Sequence, residues 1–509
     1  MPVRVVSAAE SAERDRAAIE SGTPSRTLMQ RAGAGAAAEI MRRFGSRLSD
    51  GITIFTGAGN NGGDGWVVAN HLARSGLAVS IVEVAAAKTP DAIAERDAAL
   101  PAVSVSPDTH SGSVAGIVVD ALLGTGFRGA PRGEVGDAIR QVNSLRQSGS
   151  PVVSLDVPSG LDATTGEHGE SVCADVTLSF GGIKRGTLLA RDCCGEIVAI
   201  DIGLGSQHGD ESLPVLIDRA WVEARVPVLK YDSHKGARKH LAVVGGGKGM
   251  AGAPILASRA AFRSGIGIVR AVVCSDNTTA VSAATPAALV LPWLESADEV
   301  ESSIASWADA MVIGPGMGKS REAERLFRLL LSNTQVPVVV DADALNLFEG
   351  DRPALRAHLR GRKAVITPHV AEFARLAGTD VRTVLAERFD IGGDLASDLG
   401  ATVLLKGTPS VIFTPDGQRL VSARGTAALG TGGSGDILAG IVGTVLAQTD
   451  DPTTAASAAA WIHGRAAELC GYVRGTTLED VLYALPRAWN EGELPVESPV
   501  LVRLPAVAA

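Results

Sequence analysis

Two glycine-rich loops, each with an aspartate at or near its end, hold the residues of this sequence best suited to chemistry. The first loop is Gly57–Gly65, and the second is Gly430–Asp436. Glycine lets the backbone approach a ligand closely, and the free N–H groups at the start of a helix attract anions. Because the two loops are far apart in the sequence, they predict two separate pockets for phosphate-bearing ligands.

Asp436 is predicted to be a catalytic base in the second pocket. It follows the run Gly432–Gly435 and precedes an apolar helix that starts at Ile437. Successive N–H groups would bind a phosphate, while the carboxylate takes the proton of a hydroxyl that attacks phosphorus. The alternative is an ordinary glycine turn followed by an aspartate that only caps the helix.

In the first half, Asp120 and Asp156 end predicted strands, at the edge where open α/β sheets bind ligands. Gly57, Gly59 and Gly62 match the dinucleotide-binding pattern G-x-G-x-x-G, which is a weak signal alone. Asparagine and aspartate oxygens beside these glycines suit a hard cation better than a transition metal. The alternative is that both aspartates only cap helices or turns.

Four further polar segments follow strands in the second half. They are Gly314–Gly318, Asp341–Asn346, Thr367–Glu372 and Lys406–Ser410. His369 is either a helix cap or a ligand contact, and we favour the contact because the other polar strand ends should surround it. Glu372 would either reach a magnesium ion or lie on a helix surface.

Strand and helix signals alternate through the chain and predict parallel, doubly wound sheets. The predicted strands of the first half cover 52–56, 78–84, 116–123, 151–157, 176–180 and 197–202, and its predicted helices cover 8–44, 65–75 and 133–147. After Trp221 the alternation restarts, with strands over 240–245, 268–274, 310–314, 336–342, 364–367 and 402–406 and helices over 254–264 and 320–331. We therefore expect two different α/β domains, 1–215 and 216–509.

Composition narrows the class of protein. The 509 residues exceed one ordinary core, and the formal net charge of −9 argues against nucleic-acid binding, which needs a basic face. The five cysteines show no zinc-like spacing and no paired framework, which favours a reduced, cytoplasmic protein. We find no signal peptide and no apolar run long enough to span a membrane, so we expect no membrane partner.

Three ordered motifs make the first half resemble the NAD(P)HX epimerase family. They are Gly57–Gly65, Val119–Gly126 and Asp156–Asp162. The resemblance covers most of residues 1–215 and implies a Rossmann-like domain that binds potassium beside hydrated NAD(P)H.

The resemblance also implies site residues. Potassium would be surrounded by Asn61, Asp120 and Ser159, and Arg128 would meet a phosphate. The hydrated dinucleotide would contact Asn60, Asn61, Gly62, Gly63, Asp64, Gly124, Thr125, Gly126, Phe127, Arg128, Gly129, Ala130 and Asp156.

The substrate of such an epimerase carries a hydroxyl on a ring carbon next to the ring nitrogen. Inversion of that carbon needs loss and return of the hydroxyl, while the nitrogen stabilises a cation. An aspartate can move the proton and offset the positive charge. Asp156 is our candidate for this role because Asp120 would be occupied by the potassium ion, but the residues alone leave both aspartates open.

The second half resembles the ribokinase-like NAD(P)HX dehydratase family over nearly all of residues 225–509. The strand-end motifs carry the resemblance, together with Ser233–Gly236 and Val243–Gly246, whereas Gly247–Ala253 departs from the small polar cluster typical of the family. The implied substrate contacts are Ala253, Gly316, His369 and Asp436, and the implied ADP contacts are Lys406, Gly407, Thr408, Pro409, Ser410 and Gly435.

Together the resemblances imply a bifunctional enzyme that repairs nicotinamide nucleotides. Its first domain would epimerise R- and S-NAD(P)HX, and its second would dehydrate the S form to NAD(P)H while ADP becomes AMP and phosphate. We expect NADHX, NADPHX and ADP as small-molecule partners, potassium and magnesium as cofactors, and a homo-oligomer. Two alternatives stay open: a small-molecule kinase that forms a stable phosphorylated product, and an N-terminal module that only senses a ligand or binds a protein.

Overall fold

The computed structural model describes residues 2–105, 116–205, 210–493 and 495–507. The chain divides into a first unit, Met1–Leu213 with Leu494–Val507, and a second unit, Pro214–Glu493. The division at Leu213 and Pro214 lies beside the predicted boundary at residue 215. The predicted end of the C-terminal domain at residue 509 is wrong, because residues 495–507 belong to the first unit.

The main sheet of the first unit has eight described strands. With strands numbered along the chain, the unit contains β1 (Val5–Val6), β2 (Ile52–Thr56), β3 (Val79–Glu83), β4 (Ser104–Val105), β5 (Ile117–Ala121), β6 (Val152–Leu155), β7 (Val176–Phe180), β8 (Ile183–Lys184), β9 (Glu196–Ile200) and β20 (Val500–Leu504). The sheet order is β20-β9-β7-β6-β5-β2-β3-β4, while β1 and β8 form a separate parallel pair. Only β20 runs antiparallel to its neighbour in the main sheet, and its alternate residues Val500, Val502 and Leu504 are buried.

Helices cover both faces of this sheet. They are α1 (Ala8–Glu20), α2 (Ser25–Phe44), α3 (Asn60–Arg74), α4 (Pro90–Ala99), α5 (Glu134–Gln147) and α6 (Arg185–Leu189). On β5, Val119 belongs to the core that holds residues of α2 and α3, whereas Val118 belongs to the core that holds Ile139 of α5. Neighbouring side chains on a strand point to opposite faces, so a strand buried on both faces reads as a continuous apolar run. The predicted helix over 8–44 is two helices, and the helix predicted to start at Gly65 starts at Asn60.

The second unit contains a ten-stranded sheet. Its strands are β10 (Val215–Leu216), β11 (His240–Gly245), β12 (Ile268–Val273), β13 (Leu289–Pro292), β14 (Ala310–Ile313), β15 (Val338–Val340), β16 (Ala364–Ile366), β17 (Thr402–Leu405), β18 (Ser410–Phe413) and β19 (Arg419–Ser422). The order is β10-β19-β18-β17-β16-β15-β14-β11-β12-β13, and the β17-β18 and β18-β19 pairs are antiparallel. The predicted α/β fold with two mainly parallel sheets is confirmed.

Thirteen described α-helices accompany the second sheet. They are α7 (Arg219–Glu223), α8 (Gly252–Arg263), α9 (Thr278–Ala284), α10 (Ala297–Val300), α11 (Arg321–Asn333), α12 (Asp343–Asn346), α13 (Arg352–Leu359), α14 (Val370–Ala377), α15 (Val381–Ala386), α16 (Gly393–Leu399), α17 (Ser434–Thr449), α18 (Pro452–Leu469) and α19 (Leu478–Asn490). Apolar residues of α8, α17, α18 and α19 share one core with β11 and β14. This packing fixes the start of α17, where Asp436 lies. No helix in the described part of the chain is both long and apolar enough to cross a membrane.

Candidate active sites

Asp120 joins the loops that follow two neighbouring strands of the first unit. It is fully buried at the end of β5. Its carboxylate accepts hydrogen bonds from Ser159 N (2.9 Å) and Ser159 Oγ (2.5 Å), from Ser154 Oγ (2.8 Å), and from Leu122 N (3.2 Å). Burial raises the pKa of Asp120, and these hydrogen bonds act against the rise. Asp120 therefore accepts a hydrogen bond within its own turn, from Leu122 N, and also holds two strand-end loops together.

Ser159 contacts Asp120 directly, and Asn61 contacts the loop that follows the strand of Asp120. Asn61 Nδ2 donates to the Leu123 carbonyl oxygen at 2.9 Å, and Ser159 Oγ accepts from Leu123 N at 2.9 Å. The side-chain oxygen Asn61 Oδ1 is buried and has no hydrogen-bond partner among the described residues. Leaving a buried oxygen unpaired is unfavourable, so a ligand at this point would complete its coordination.

Asp156 is held in an unusual conformation at the end of β6. Its φ is +65°, a left-handed value that costs a non-glycine residue about 1–3 kcal/mol. Its carboxylate forms an ion pair with the buried Lys184, and Lys184 Nζ also donates to the Phe180 carbonyl oxygen at 2.6 Å. Backbone strain of this kind is concentrated at functional sites, and the contact with Lys184 shows what holds the carboxylate in place.

Two more carboxylates surround this ion pair. Burial raises the pKa of Asp64 well above its usual value, the charges of Asp156 and Asp15 add to the rise, and Lys184 opposes it. Burial also raises the pKa of Asp15 to about 6, with Lys184 again acting against the rise. The first site therefore combines an ion-paired carboxylate with two carboxyl groups whose pKa values are raised by burial.

The remaining predicted residues of the first site lie around this group. Asn60, Gly62, Gly63 and Asp64 occupy the first turns of α3. In the loop 124–130, a Cβ on Gly124 would lie 3.1 Å from Asn61 Cβ, so this end of the loop adjoins the Asn61 side chain. Further along, Arg128 is exposed and forms a 3.1 Å ion pair with Asp162. The rest of this loop consists of Thr125, Gly126, Phe127, Gly129 and Ala130. Among the described residues, these five make no side-chain hydrogen bond to the site.

In the second unit, Asp436 lies in the first turn of α17, one turn from the exposed glycines that precede the helix. Burial raises its pKa to about 7; Asp341 adds to the rise, and Lys406 opposes it. A carboxyl group with a pKa near neutrality is well matched to general-base catalysis. The raised pKa and the place of Asp436 at a helix start suit a group that accepts a proton beside bound phosphate.

Lys406 lies within a group of acidic residues. Its Nζ lies 2.8 Å from Asp341 Oδ1 and 3.9 Å from Glu372 Oε2. Burial alone would lower the pKa of Lys406, but the carboxylates of Asp341, Glu372 and Asp436 raise it. The Lys406 ammonium group is therefore charged and ion-paired with Asp341. The alternative that Glu372 lies on a helix surface is wrong, because its side chain is buried.

His369 caps α14 and borders the same group. Its Nδ1 accepts hydrogen bonds from Ala371 N (3.1 Å) and Glu372 N (3.3 Å), and its Nε2 lies 3.5 Å from Glu372 Oε1. Burial lowers the pKa of His369, and the positive charge of Lys406 adds to this effect. The neutral ring therefore carries its proton on Nε2, which leaves a half-exposed donor. His369 is therefore the cap of α14, with Nε2 directed at Glu372, and its role as a ligand contact stays a prediction.

The other implied contacts of the second site fall into two places. Ala253 and Gly316 are adjacent, since a Cβ on Gly316 would lie 2.9 Å from Ala253 Cβ. At the second place, a Cβ on Gly435 would lie 3.4 Å from Lys406 Nζ. The residues after Lys406 connect β17 to β18. Gly407 N lies 3.3 Å from Ser410 Oγ, and the Pro409 carbonyl oxygen accepts a hydrogen bond from Arg388. Thr408 lies between Gly407 and Pro409 in the chain.

Both units thus carry a polar group at the carboxyl edge of a parallel sheet beside a glycine-rich helix start, which defines a two-site α/β enzyme. One family model, described as NAD(P)H-hydrate dehydratase, matches residues 241–486, and another, described as YjeF-related protein N-terminus, matches residues 25–186. The chain belongs to the family of bifunctional NAD(P)H-hydrate repair enzymes. This membership confirms the predicted class of enzyme.

Relatives over nearly the full length support this membership. A bifunctional NAD(P)H-hydrate repair enzyme from Moorella thermoacetica is 33% identical and aligns with 98% of this chain and 99% of its own. The enzyme of the same name from Escherichia coli is 34% identical over 86% of this chain and 84% of its own. Among solved structures, the ADP/ATP-dependent NAD(P)H-hydrate dehydratase from Bacillus subtilis is 27% identical with a TM-score of 0.47, covering 53% of this chain and 96% of its own.

Asp15 is the residue that sequence reasoning missed completely. It lies on α1, which reaches the first site because β1 pairs with β8, the strand that carries Lys184. Arg14 reinforces this placement by donating to the Gly181 carbonyl oxygen at 2.6 Å. The sequence contains no motif that predicts the long-range pairing of β1 with β8. An aspartate beside an arginine on an amphipathic helix is expected to lie on the protein surface.

Proposed function

We propose that the second site dehydrates (S)-NAD(P)HX with ADP as co-substrate and that Asp436 is its catalytic base. The observation that carries the proposal is the Asp436 carboxyl group, with its pKa near 7, at the start of α17 beside Lys406. Asp436 removes the proton of the substrate hydroxyl, whose oxygen attacks the terminal phosphorus of ADP. AMP leaves, phosphate is then expelled by the electron pair of the ring nitrogen, and loss of a proton from the adjacent ring carbon gives NAD(P)H.

The phosphate groups of ADP are proposed to lie between Lys406 and the start of α17. The N–H groups at this helix end and the Lys406 ammonium group stabilise negative charge on the transferred phosphoryl group. Gly435 leaves room there for a phosphate oxygen, and Gly407, Thr408, Pro409 and Ser410 border the nucleotide. On the substrate side, Ala253, Gly316 and His369 position the hydrated dinucleotide.

Magnesium fits the oxygen ligands of this site. Asp341 and Glu372 place carboxylate oxygens beside Lys406, and magnesium binds one or two carboxylates together with substrate phosphates. When bound, the ion neutralises charge on the phosphate oxygens. The protein side chains orient the hydroxyl and move its proton.

We propose that the first site interconverts R- and S-NAD(P)HX and that Asp156 is its catalytic group. The Asp156 carboxylate, held by Lys184, offsets the positive charge that develops on the ring nitrogen when the hydroxyl leaves. Burial raises the pKa of both Asp64 and Asp15, and we assign to them the exchange of a proton with the departing and returning hydroxyl. Asn60–Asp64 and the loop 124–130 are proposed to enclose the dinucleotide.

Potassium fits the oxygen group formed by Asn61, Asp120 and Ser159. The buried Asn61 Oδ1 without a partner is the supporting observation, and the Leu123 carbonyl oxygen lies 3.3 Å from Ser159 Oγ. Such an all-oxygen set suits a hard cation. Potassium would fix the loops after β5 and β6 and thereby the shape of the pocket.

We also propose a homo-oligomer in the cytoplasm. All five cysteines are free thiols, as expected in a reducing compartment. Val228 and Tyr231, three residues apart in the chain, are both highly exposed, and self-association would cover them.

Two single variants test which site catalyses epimerisation and which catalyses dehydration. Asp436→Asn should interconvert the epimers at the normal rate without forming NADH from ADP and NADHX. Asp156→Asn should convert the S epimer to NADH at the normal rate and leave the R epimer at its uncatalysed rate. Loss of both activities in either folded variant, or of neither, would contradict the proposed assignment of the two sites.

A further inference from the structure

The structure brings together three metal-binding side chains that have no metal-like spacing in the sequence. They are His168, Asp192 and Cys193, and one ligand atom from each lies within 4.8 Å of the others. Cys193 Sγ lies 3.6 Å from His168 Nε2 and 3.8 Å from His168 Nδ1. These residues form no part of either proposed active site.

Backbone contacts hold the two segments of this cluster in place. His168 forms an isolated bridge with Leu161, and four residues later Val172 N donates to the Ser159 carbonyl oxygen at 2.9 Å. Asp192 and Cys193 belong to the short 3₁₀ turn Arg191–Cys193, and Ala174 N donates to the Cys193 carbonyl oxygen at 2.9 Å. The three side chains therefore meet between two fixed pieces of backbone.

The combination of imidazole nitrogen, carboxylate oxygen and thiolate sulfur is one that zinc prefers. Zinc binds sulfur at about 2.3 Å and nitrogen at about 2.0–2.1 Å in a tetrahedral arrangement, which places the two ligand atoms roughly 3.6 Å apart. Cys193 Sγ lies 3.6 Å from His168 Nε2 and 3.8 Å from Nδ1, so the spacing suits a shared ion once the exposed imidazole turns to aim one nitrogen at it. His168 and Asp192 are exposed and Cys193 is buried, so an ion can enter from solvent and reach the sulfur.

We propose that His168, Asp192 and Cys193 form a binding site for Zn²⁺ or a divalent ion of the same borderline-soft class. Binding deprotonates the Cys193 thiol and releases the proton to solvent, and water completes the tetrahedron. The ion would connect the segment that follows Ser159 to the turn that precedes β9. The proposal does not depend on either proposed activity.

A disulfide bond that uses the Cys193 sulfur would compete with metal binding at this site. Burial raises the pKa of the Cys193 thiol to about 11, and both Asp192 and Cys173 add to the rise. A Cys173–Cys193 disulfide would remove the sulfur ligand. Intact mass and free-thiol content of the full chain, purified without reductant, separate the two possibilities.

Cobalt titration of the reduced, metal-free full chain tests the site directly. Co²⁺ should bind with a stoichiometry of one, produce a thiolate-to-cobalt charge-transfer band and intense visible bands of tetrahedral cobalt, and be displaced by Zn²⁺. Cys193→Ser should abolish the charge-transfer band, and His168→Gln should weaken binding more than about 100-fold. His168 is exposed, so this second variant tests the site without disturbing the core.

Cys194→Ser is the matched control. Cys194 is adjacent in sequence, but its thiol donates to the Ala190 carbonyl oxygen at 3.2 Å. A serine can make the same contact, so this variant should bind cobalt as the unmodified chain does. The proposal is overturned if no thiolate band appears, if the band survives both Cys193→Ser and His168→Gln, if Cys194→Ser removes it, or if the purified chain holds a Cys173–Cys193 disulfide.

Discussion

Asp436, the proposed catalytic base, shows how the surroundings of a carboxyl group can raise its pKa. Its partial burial and the nearby carboxylate of Asp341 disfavour the charged form, whereas Lys406 favours it. The balance places the pKa at about 7, so the group exchanges its proton in the neutral range. A general base acts only when deprotonated, and the dehydratase should therefore lose activity on the acidic side of this value.

The prediction for Asp436 is a change in both rate and pH profile. In the unmodified chain, dehydratase kcat/KM should fall about tenfold per pH unit below pH 7 and be constant above it. Asp436→Asn should lower kcat about 10²–10⁴-fold and remove this dependence. The control is Asp394→Asn, an exposed change in the same unit. A profile without a transition near pH 7, or an active Asp436→Asn variant, would exclude Asp436 as the base.

Potassium dependence is the prediction for the residues around Asp120. Epimerisation should be faster in potassium than in a bulky organic cation at equal ionic strength, because only the small ion fits between Asn61 Oδ1, Asp120 and Ser159. Asn61→Ala should remove the response to potassium, whereas Asn143→Ala, a change elsewhere in the first unit, should retain it. Equal epimerisation rates in the two salts would remove the cation from the mechanism and make Asp120 a candidate base.

At the scale of elements, the start of α3 depends on a close approach of two backbone segments. A Cβ on Gly62 would lie 2.0 Å from the Gly57 carbonyl oxygen, a backbone atom that cannot move aside. Gly59, three residues earlier, has an ordinary extended backbone and open space around an added Cβ. The glycine-rich loop is thus largely a helix turn pressed against the end of β2.

These two glycines give a paired prediction. Gly62→Ala should destabilise the first unit by about 2 kcal/mol, the usual cost of overpacking, which lowers its melting temperature by about 5 °C. Gly59→Ala should leave the melting temperature within about 1 °C. Scanning calorimetry of the full chain measures both. Equal melting temperatures for the two variants would show that the turn at Gly57 tolerates a side chain at position 62.

Local sequence signals predicted the buried parallel strands well and the tertiary contacts poorly. The strands Ile52–Thr56, Val176–Phe180 and His240–Gly245 were predicted to the residue, because each is a short apolar run bounded by turns. The start of α3 was placed too late, because glycine and asparagine have low helix propensity and only packing makes them helical here. Likewise, β18 and β19 were not predicted, since an antiparallel hairpin is not part of the strand–helix alternation.

The residues of the candidate sites likewise fall into two groups, those that local sequence patterns predict and those that they do not. Asp156 and Asp436 could be found because they lie in local motifs at strand or helix ends. Asp15 and the His168–Asp192–Cys193 cluster could not, because only long-range folding brings them to their partners. Their types and spacing along the chain carry no signal.

At the scale of the whole molecule, the chain returns to its first unit after completing the second. The strand β20 pairs with β9 in the first sheet, and Arg503 lies 3.2 Å from the buried carboxylate of Glu39. Burial alone would raise the pKa of Glu39, but Arg42, Arg503 and Arg43 lower it to about 2. Residues 1–215 alone therefore lack one edge strand and one partner of a buried charge.

This topology predicts how the units behave when separated. A chain of residues 1–213 joined by a flexible linker to 495–507 should be soluble and melt at a higher temperature than residues 1–215 alone. The same linked chain with Arg503→Ala and Val502→Asp is the control and should melt like 1–215. If 1–215 is as stable as the linked chain, β20 makes no contribution to the first unit.

The central claim is that one chain repairs both epimers of a hydrated nicotinamide nucleotide at two sites. The most direct measurement is incubation of the full chain with mixed NADHX epimers, excess ADP, magnesium and potassium, while reduced-nicotinamide absorbance and AMP are followed together. We predict that all of the hydrate returns to NADH and that one AMP and one phosphate form for each NADH. Recovery that stops when the S epimer is consumed, accumulation of a stable phosphorylated product, or NADH without AMP would contradict the account.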